Sequence, residues 1–283
     1  MIRVADAQVS GRVATVAHIL NVASKLKGTT MLLKDKIIII TGASSGIGEA
    51  AAHLFAQNGA RLVLGARRSD ALKTIAGQIN QSQGRAVVFA GDVADPDYAR
   101  QLVDLAKAEF GGLDGAFNNA GRMGTGAMVA DTDVEEWTAV LATNLTSAFH
   151  AARAQIPALL DRGGGSLTFT GSFVGHTATL PGMGAYAASK SGLIGLVQAI
   201  AVDYGAQGIR ANALLPGGTM TAMAMDAATN PQTETFIANL HALKRMAKPE
   251  EIANAAMFLA SELSSFVTGS AMLADGGNSI NKL

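Results

Sequence analysis

The sequence contains no cysteine, which excludes disulfides, thiolate nucleophiles and cysteine-ligated metals. Its five histidines, His18, His53, His150, His176 and His241, lie far apart, and none pairs at the i, i+4 spacing of a helical zinc site. No metal is expected. An excess of charge of one sign is also lacking: 22 Lys and Arg stand against 22 Asp and Glu, and neither sign forms a long run. A polyanionic partner needs clustered bases, so nucleic acid is not an expected ligand. Uninterrupted apolar stretches fall short of the roughly 18 residues that a spanning helix requires. No membrane partner is expected, and the expected location is cytoplasmic. Aromatic residues are sparse, and only three are tyrosines, Tyr98, Tyr186 and Tyr204.

What is present is a chain of 283 residues, 49% hydrophobic and with 32 glycines, as expected of one compact domain. Residues 1–30 carry Arg3, Arg12, Lys25 and Lys27 against Asp6, around a mildly apolar centre interrupted by His18 and Asn21. That centre is weak for a targeting peptide and no small-residue cleavage site follows it. The segment reads as a non-core extension, with a single domain over residues 31–283 and Met31 as a candidate functional start.

From there short β-rich runs alternate with longer helical ones. Ile37–Ile40 is apolar throughout, as in a strand buried on both faces. Strand-like runs recur at Arg61–Leu64, Ala86–Phe89, Gly115–Phe117, Ser166–Phe169, Arg210–Leu214 and Ser270–Ala274. Helical stretches fall at Glu49–Gln57, Ala71–Gln83, Asp97–Phe110, Val134–Leu160, Ala185–Tyr204 and Pro249–Ser261. Strands separated by helices imply an α/β fold with a doubly wound parallel sheet of about seven strands and helices on both faces.

Such a sheet binds ligands at the carboxyl ends of its strands, and the first strand runs into Thr41-Gly-Ala-Ser-Ser-Gly-Ile-Gly48. Glycines let the backbone approach a pyrophosphate, and the following helix offers its unpaired N–H groups and positive dipole end. The spacing Gly42, Gly46, Gly48 is G-x-x-x-G-x-G, and no Gly-Lys-Ser/Thr follows, which disfavours a triphosphate loop. Farther on, Tyr186 and Lys190 stand four residues apart on one face of a helix. A phenol beside a fixed positive charge loses its proton more readily, which suits acid/base chemistry near neutrality.

With these features, Asn118-Asn119-Ala120-Gly121, Asn144, Ser172, Pro216-Gly217 and Asp275-Gly276-Gly277 occur in order. From Met31 onward the chain resembles the short-chain dehydrogenase/reductase family in its short, single-domain, Rossmann-type form. The resemblance implies that Tyr186 exchanges a proton with the substrate oxygen. Lys190 would lower the phenol's pKa and hold the nicotinamide ribose, Ser172 would hydrogen-bond the reacting oxygen, and Asn144 would hold a water leading from the lysine to solvent. It further implies cofactor contacts at Gly42, Ser44, Ser45, Gly46, Ile47 and Gly48 around the pyrophosphate, at Asp92 and Val93 beside the adenine, and at Asn118, Ala120 and Gly121. Pro216, Gly217, Thr219 and Thr221 would embrace the carboxamide. Relatives commonly carry Val or Ile where this chain has Thr219, so a backbone contact is the firmer expectation there.

Cofactor choice is read after the second strand, in Gly65-Ala66-Arg67-Arg68. Selection for NAD(H) places a carboxylate here to take the ribose hydroxyls; Ala66 stands in its place. Arg67, with Arg68 as a second contact, offers charged planar donors suited to a 2′-phosphate. NADP(H) is the expected cofactor, with NAD(H) possible, although Ser45 stands where many NADP-preferring relatives have a basic residue. Met220, Met223, Met225 and Met246, with Phe173, His176 and Met183, suggest an apolar pocket for a small carbonyl or alcohol. The resemblance of Phe266–Asp275 to a last strand that pairs across a subunit interface implies a homotetramer. Two alternatives share parts of this pattern. A sugar-nucleotide epimerase or dehydratase would be longer and use G-x-x-G-x-x-G, and a catalytically silent nucleotide sensor would lack the tyrosine.

Overall fold

The computed structural model describes residues 31–227 and 231–281; the extension over residues 1–30 lies outside them. Seven strands are described: β1 (Ile37–Thr41), β2 (Arg61–Ala66), β3 (Arg85–Ala90), β4 (Gly115–Asn118), β5 (Gly165–Thr170), β6 (Ile209–Pro216) and β7 (Ala271–Ala274). They form one sheet in the order β3-β2-β1-β4-β5-β6-β7, parallel at every pairing. The helices are α1 (Gly46–Gln57), α2 (Ser69–Gln81), α3 (Tyr98–Phe110), α4 (Val134–Leu141), α5 (Ser147–Leu160), α6 (Gly184–Tyr204), α7 (Ala222–Ala227), α8 (Pro231–Asn239) and α9 (Pro249–Ala260).

The continuous apolar strands are explained by the two layers they separate. Successive side chains of a strand point to opposite faces, and all of Ile37–Ile40 are buried. Ile37, Ile39 and Val63 join a core with Leu102, Ile156, Leu193 and Val197 of α3, α5 and α6. Ile38, Ile40, Leu62 and Leu64 join a second core with Phe55, Leu72, Ile75 and Leu259 of α1, α2 and α9. A polar residue on either face of these strands would be stranded without water.

One expectation is corrected. The stretch Val134–Leu160 is not one helix: a π-helical turn at Ala142–Thr146 separates α4 from α5. One extra residue in that turn is invisible to a 3.6-residue pattern, and such insertions concentrate at functional sites. The run Gly184–Gln207 has the length and the mean hydropathy, 1.3, to cross a membrane by composition alone. Its buried residues include Lys190, Leu193, Val197 and Ile200, and the last three pack in the core beneath the sheet.

Candidate active site

The strand order reverses between β1 and β4, and a crevice opens at the carboxyl ends of strands at such a point. Thr41 and Asn118 are register partners there, so the glycine loop and the Asn118–Gly121 turn stand side by side. The Thr41 hydroxyl accepts from the N–H groups of Asn119 at 3.0 Å and Ala120 at 3.2 Å, and the Asn119 amide donates to the Thr41 carbonyl at 3.3 Å. Gly42 has φ of 65°, and a Cβ on it would lie 3.0 Å from the Cα of Ala120. A Cβ on Gly48 would collide with the Gly42 carbonyl. Only bare backbone fits between loop and turn, and α1 begins without a side-chain cap at Ser45. A cradle of backbone at a helix N-terminus suits the pyrophosphate of a dinucleotide. Thr221 approaches the loop from the segment after β6, its Cγ2 lying 2.9 Å from the position of a Cβ on Gly46.

The reactive groups stand beside this cradle. Ser172, 7% exposed, accepts from the Val174 N–H at 3.1 Å, and its hydroxyl stands on the Tyr186 phenol's side, where it favours the ionised phenol. Lys190, 4% exposed on the next turn of α6, donates to the Thr170 carbonyl at 2.6 Å. Its ammonium lies 5.6 Å from the centre of the Tyr186 ring. Burial raises the phenol above its ordinary value of 10, and the Ser172 hydroxyl only partly opposes that. Burial likewise pushes Lys190 down to about 8. The expected direction for the phenol is therefore corrected for the protein without nucleotide: the same desolvation that disfavours phenolate also disfavours the ammonium meant to stabilise it.

Asn144, 3% exposed, lies in the π turn and works as a clamp. It accepts from the Arg122 N–H at 2.8 Å and donates to the Arg122 carbonyl at 2.8 Å and to Ser189 Oγ at 3.0 Å. The turn after β4 is thereby tied to α6, the helix that carries Tyr186 and Lys190. A Cβ on Gly121 would lie 3.2 Å from Asn144 Oδ1 and 3.3 Å from Lys190 Nζ, so the three close up against one another.

Other expected residues take more varied places. Arg68, not Arg67, folds over the glycine loop: it donates to Ser44 Oγ at 3.0 and 3.2 Å, to the Ser44 carbonyl at 3.2 Å and to Ser45 Oγ at 2.6 Å. Both arginines are exposed. The Asn118 amide exchanges two hydrogen bonds, at 2.9 and 3.0 Å, with the fully buried Gln155, so that side chain braces the sheet. The Thr219 hydroxyl donates to the Gly217 carbonyl at 3.0 Å and is turned into its own loop. Asp92 is exposed and accepts from the Ala94 N–H at 2.9 Å, next to half-buried Val93. Ile47 is half-buried, and Pro216 is the last residue of β6, with Gly217 just beyond it, where the Gly217 N–H donates to the Ala274 carbonyl at 3.2 Å. Phe173 and Met246 are buried and His176 is exposed, while Met220, Met223 and Met225 are 41–43% exposed, more than core side chains would be.

Thr41, Gln155 and Thr170 hold this site together, yet none was singled out from the sequence. Each acts through a partner distant in sequence. Asn119 was visible as half of an Asn-Asn doublet, and its side chain proves to join two strands, accepting from Thr170 Oγ1 at 3.1 Å.

The family model described as Enoyl-(Acyl carrier protein) reductase matches residues 42–279. The chain belongs to the short-chain dehydrogenase/reductase family. It is 40% identical over 252 residues to the A-factor type gamma-butyrolactone 1'-reductase (1S-forming) of Streptomyces virginiae, covering 88% of this chain and 97% of that protein. It is 38% identical over 247 residues to the 2,5-dichloro-2,5-cyclohexadiene-1,4-diol dehydrogenase of Sphingobium indicum, covering 87% and 97%. A solved short-chain type dehydrogenase/reductase from Mycobacterium marinum superposes with a TM-score of 0.84 at 35% identity, covering 89% of this chain and 98% of that one. Membership makes this chain an NAD(P)-dependent oxidoreductase of alcohol and carbonyl substrates.

Proposed function

We propose that the enzyme interconverts a small carbonyl and its secondary alcohol with NADP(H), using Tyr186 as the acid and base. The observation that carries this reading is the Ser172–Tyr186–Lys190 cluster beside a cradle of bare backbone. When bound, the nicotinamide supplies or accepts the hydride. A phenol held above its ordinary value is protonated at neutral pH, ready to donate to a substrate oxygen as negative charge develops there. Ser172 offers that oxygen a second donor. Lys190 and the nicotinamide ribose hydroxyls would meet near Gly121, and Asn144 keeps that turn in register with α6.

NADP(H) over NAD(H) is supported by Ala66 in place of a carboxylate and by the arginine pair after it, with Arg68 against the loop. Arg67 is exposed and available to a 2′-phosphate. The substrate side is bounded by Phe173, Met183 and the exposed methionines of the segment after β6, which suit an apolar molecule. A homotetramer is supported by apolar side chains left exposed in two regions, Val134, Trp137, Phe149 and Val202 on α4–α6, and Phe266, Leu273 and Ile280 around β7. The test is a panel of alcohols and carbonyls followed at the nicotinamide absorbance with both cofactors. Turnover with NADP(H) is expected, and preferred use of NAD(H) or no turnover with any member would overturn the reading.

A further inference from the structure

His241, 2% exposed just beyond α8, takes no part in the proton chemistry above. Its ring is committed to two backbone groups. Nε2 accepts from the Gly218 N–H at 2.9 Å, and Nδ1 donates to the Ile237 carbonyl at 2.9 Å. An acceptor at Nε2 with a donor at Nδ1 defines the neutral ring with its proton on Nδ1. The fit around it is close: a Cβ on Gly217 would lie 2.7 Å from Nε2, and one on Gly218 would lie 2.9 Å from Cε1.

The histidine also opens a tight turn. The Lys244 N–H donates to the His241 carbonyl at 3.0 Å, with Lys244 at φ of 55°, and the Leu243 N–H donates to the Gly276 carbonyl at 3.1 Å. One imidazole therefore sits where three segments meet: Pro216–Thr221 at the end of β6, the end of α8, and the Asp275–Gly277 turn after β7. Gly218 is the residue through which the first of these is held. Its carbonyl accepts from the Ala247 N–H at 2.8 Å, its N–H goes to His241, and the Met220 N–H returns to the Ala247 carbonyl at 2.9 Å.

We propose that His241 is a positioning residue for nucleotide binding. By accepting from Gly218 it fixes Pro216–Thr221 in the conformation that borders the nicotinamide and that brings Thr221 against the glycine loop. This inference rests on the oxidoreductase reading above. It follows from the geometry: without Nε2 the Gly218 N–H loses its acceptor in a half-buried place, and the segment is released at its centre.

The test compares His241→Gln with His241→Asn. A glutamine can extend an amide oxygen to the position of Nε2, whereas asparagine keeps a donor near Nδ1 and falls short of Gly218. By direct titration with NADPH, His241→Gln should bind within about threefold of wild type and His241→Asn about tenfold more weakly, the loss of one such hydrogen bond. Amide hydrogen exchange at Gly218 in the nucleotide-free protein should accelerate in His241→Asn and stay slow in His241→Gln. Equal affinities for all three proteins, or equal weakening of both variants, would overturn the proposal. Should neither variant fold, the wild type decides it by nitrogen NMR of labelled histidine. A His241 Nε2 that is unprotonated and shifts on addition of NADPH supports the proposal, and one indifferent to NADPH overturns it. Wild-type titration is the control: failure to bind NADPH or NADH defeats the oxidoreductase reading, whereas normal wild-type binding with unaffected variants defeats only the role of His241.

Discussion

Replacing Lys190 by Met should stabilise the nucleotide-free protein near neutrality while abolishing its chemistry. Burial pushes Lys190 from 10.5 down to about 8, and each unit corresponds to about 1.4 kcal/mol, so holding the cation inside costs about 3 kcal/mol below pH 8. Methionine removes that cost but leaves the Thr170 carbonyl without its 2.6 Å donor, a loss of about 1 kcal/mol. The net gain at pH 7 is about 2 kcal/mol. The sign of the pH dependence follows from the depressed value. Between about 8 and 10.5 the unfolded chain holds the lysine proton and the folded chain does not, so wild-type stability rises with pH through that window. Methionine has no proton to lose. The stability advantage of Lys190→Met should therefore shrink by roughly 2 kcal/mol from pH 8 to pH 10, with Tyr186 and every other titrating group cancelling between the two proteins. Urea denaturation of both at a series of pH values measures this directly. Parallel profiles would refute the burial argument.

Four further substitutions address the cofactor cradle and the frame around it. Arg67→Ala and Arg68→Ala should each lower the ratio of kcat/KM for NADP(H) over NAD(H) by about tenfold, and Arg68→Ala should also release Ser44 and Ser45. Unchanged ratios in both would remove the arginines from the 2′-phosphate site. Gly48→Ala should eliminate dinucleotide binding as judged by titration, because its Cβ collides with the Gly42 carbonyl. Gly77→Ala, with open space around its Cβ inside α2, should raise stability by up to about 1 kcal/mol in thermal melts.

The sequence was most legible where neighbours in the chain decide the structure. An all-isoleucine run can only be a strand covered on both faces, and Ile37–Ile40 alternates between the two cores as that reading requires. The glycine loop and the Tyr186/Lys190 spacing were legible for the same reason. The extra residue of the π turn was not, because Asn144 is held by Arg122 and Ser189, 22 and 45 residues away. The fold-back of Arg68 depends on a loop 23 and 24 residues upstream. His241 read as one dispersed histidine among five, since its defining partner, Gly218, is a backbone N–H that no residue pattern marks. The raised phenol was missed because spacing reports a nearby charge and not how much water burial removes from it.

The central claim, that Tyr186 moves the proton while the cradle holds the nucleotide, is tested most directly by Tyr186→Phe, which deletes one hydroxyl and leaves the ring in place. Nucleotide affinity by titration should stay within a few-fold of wild type, while turnover at the nicotinamide absorbance should fall by about 10²–10⁴-fold or more. A variant that reduces carbonyls at nearly the wild-type rate would contradict the account.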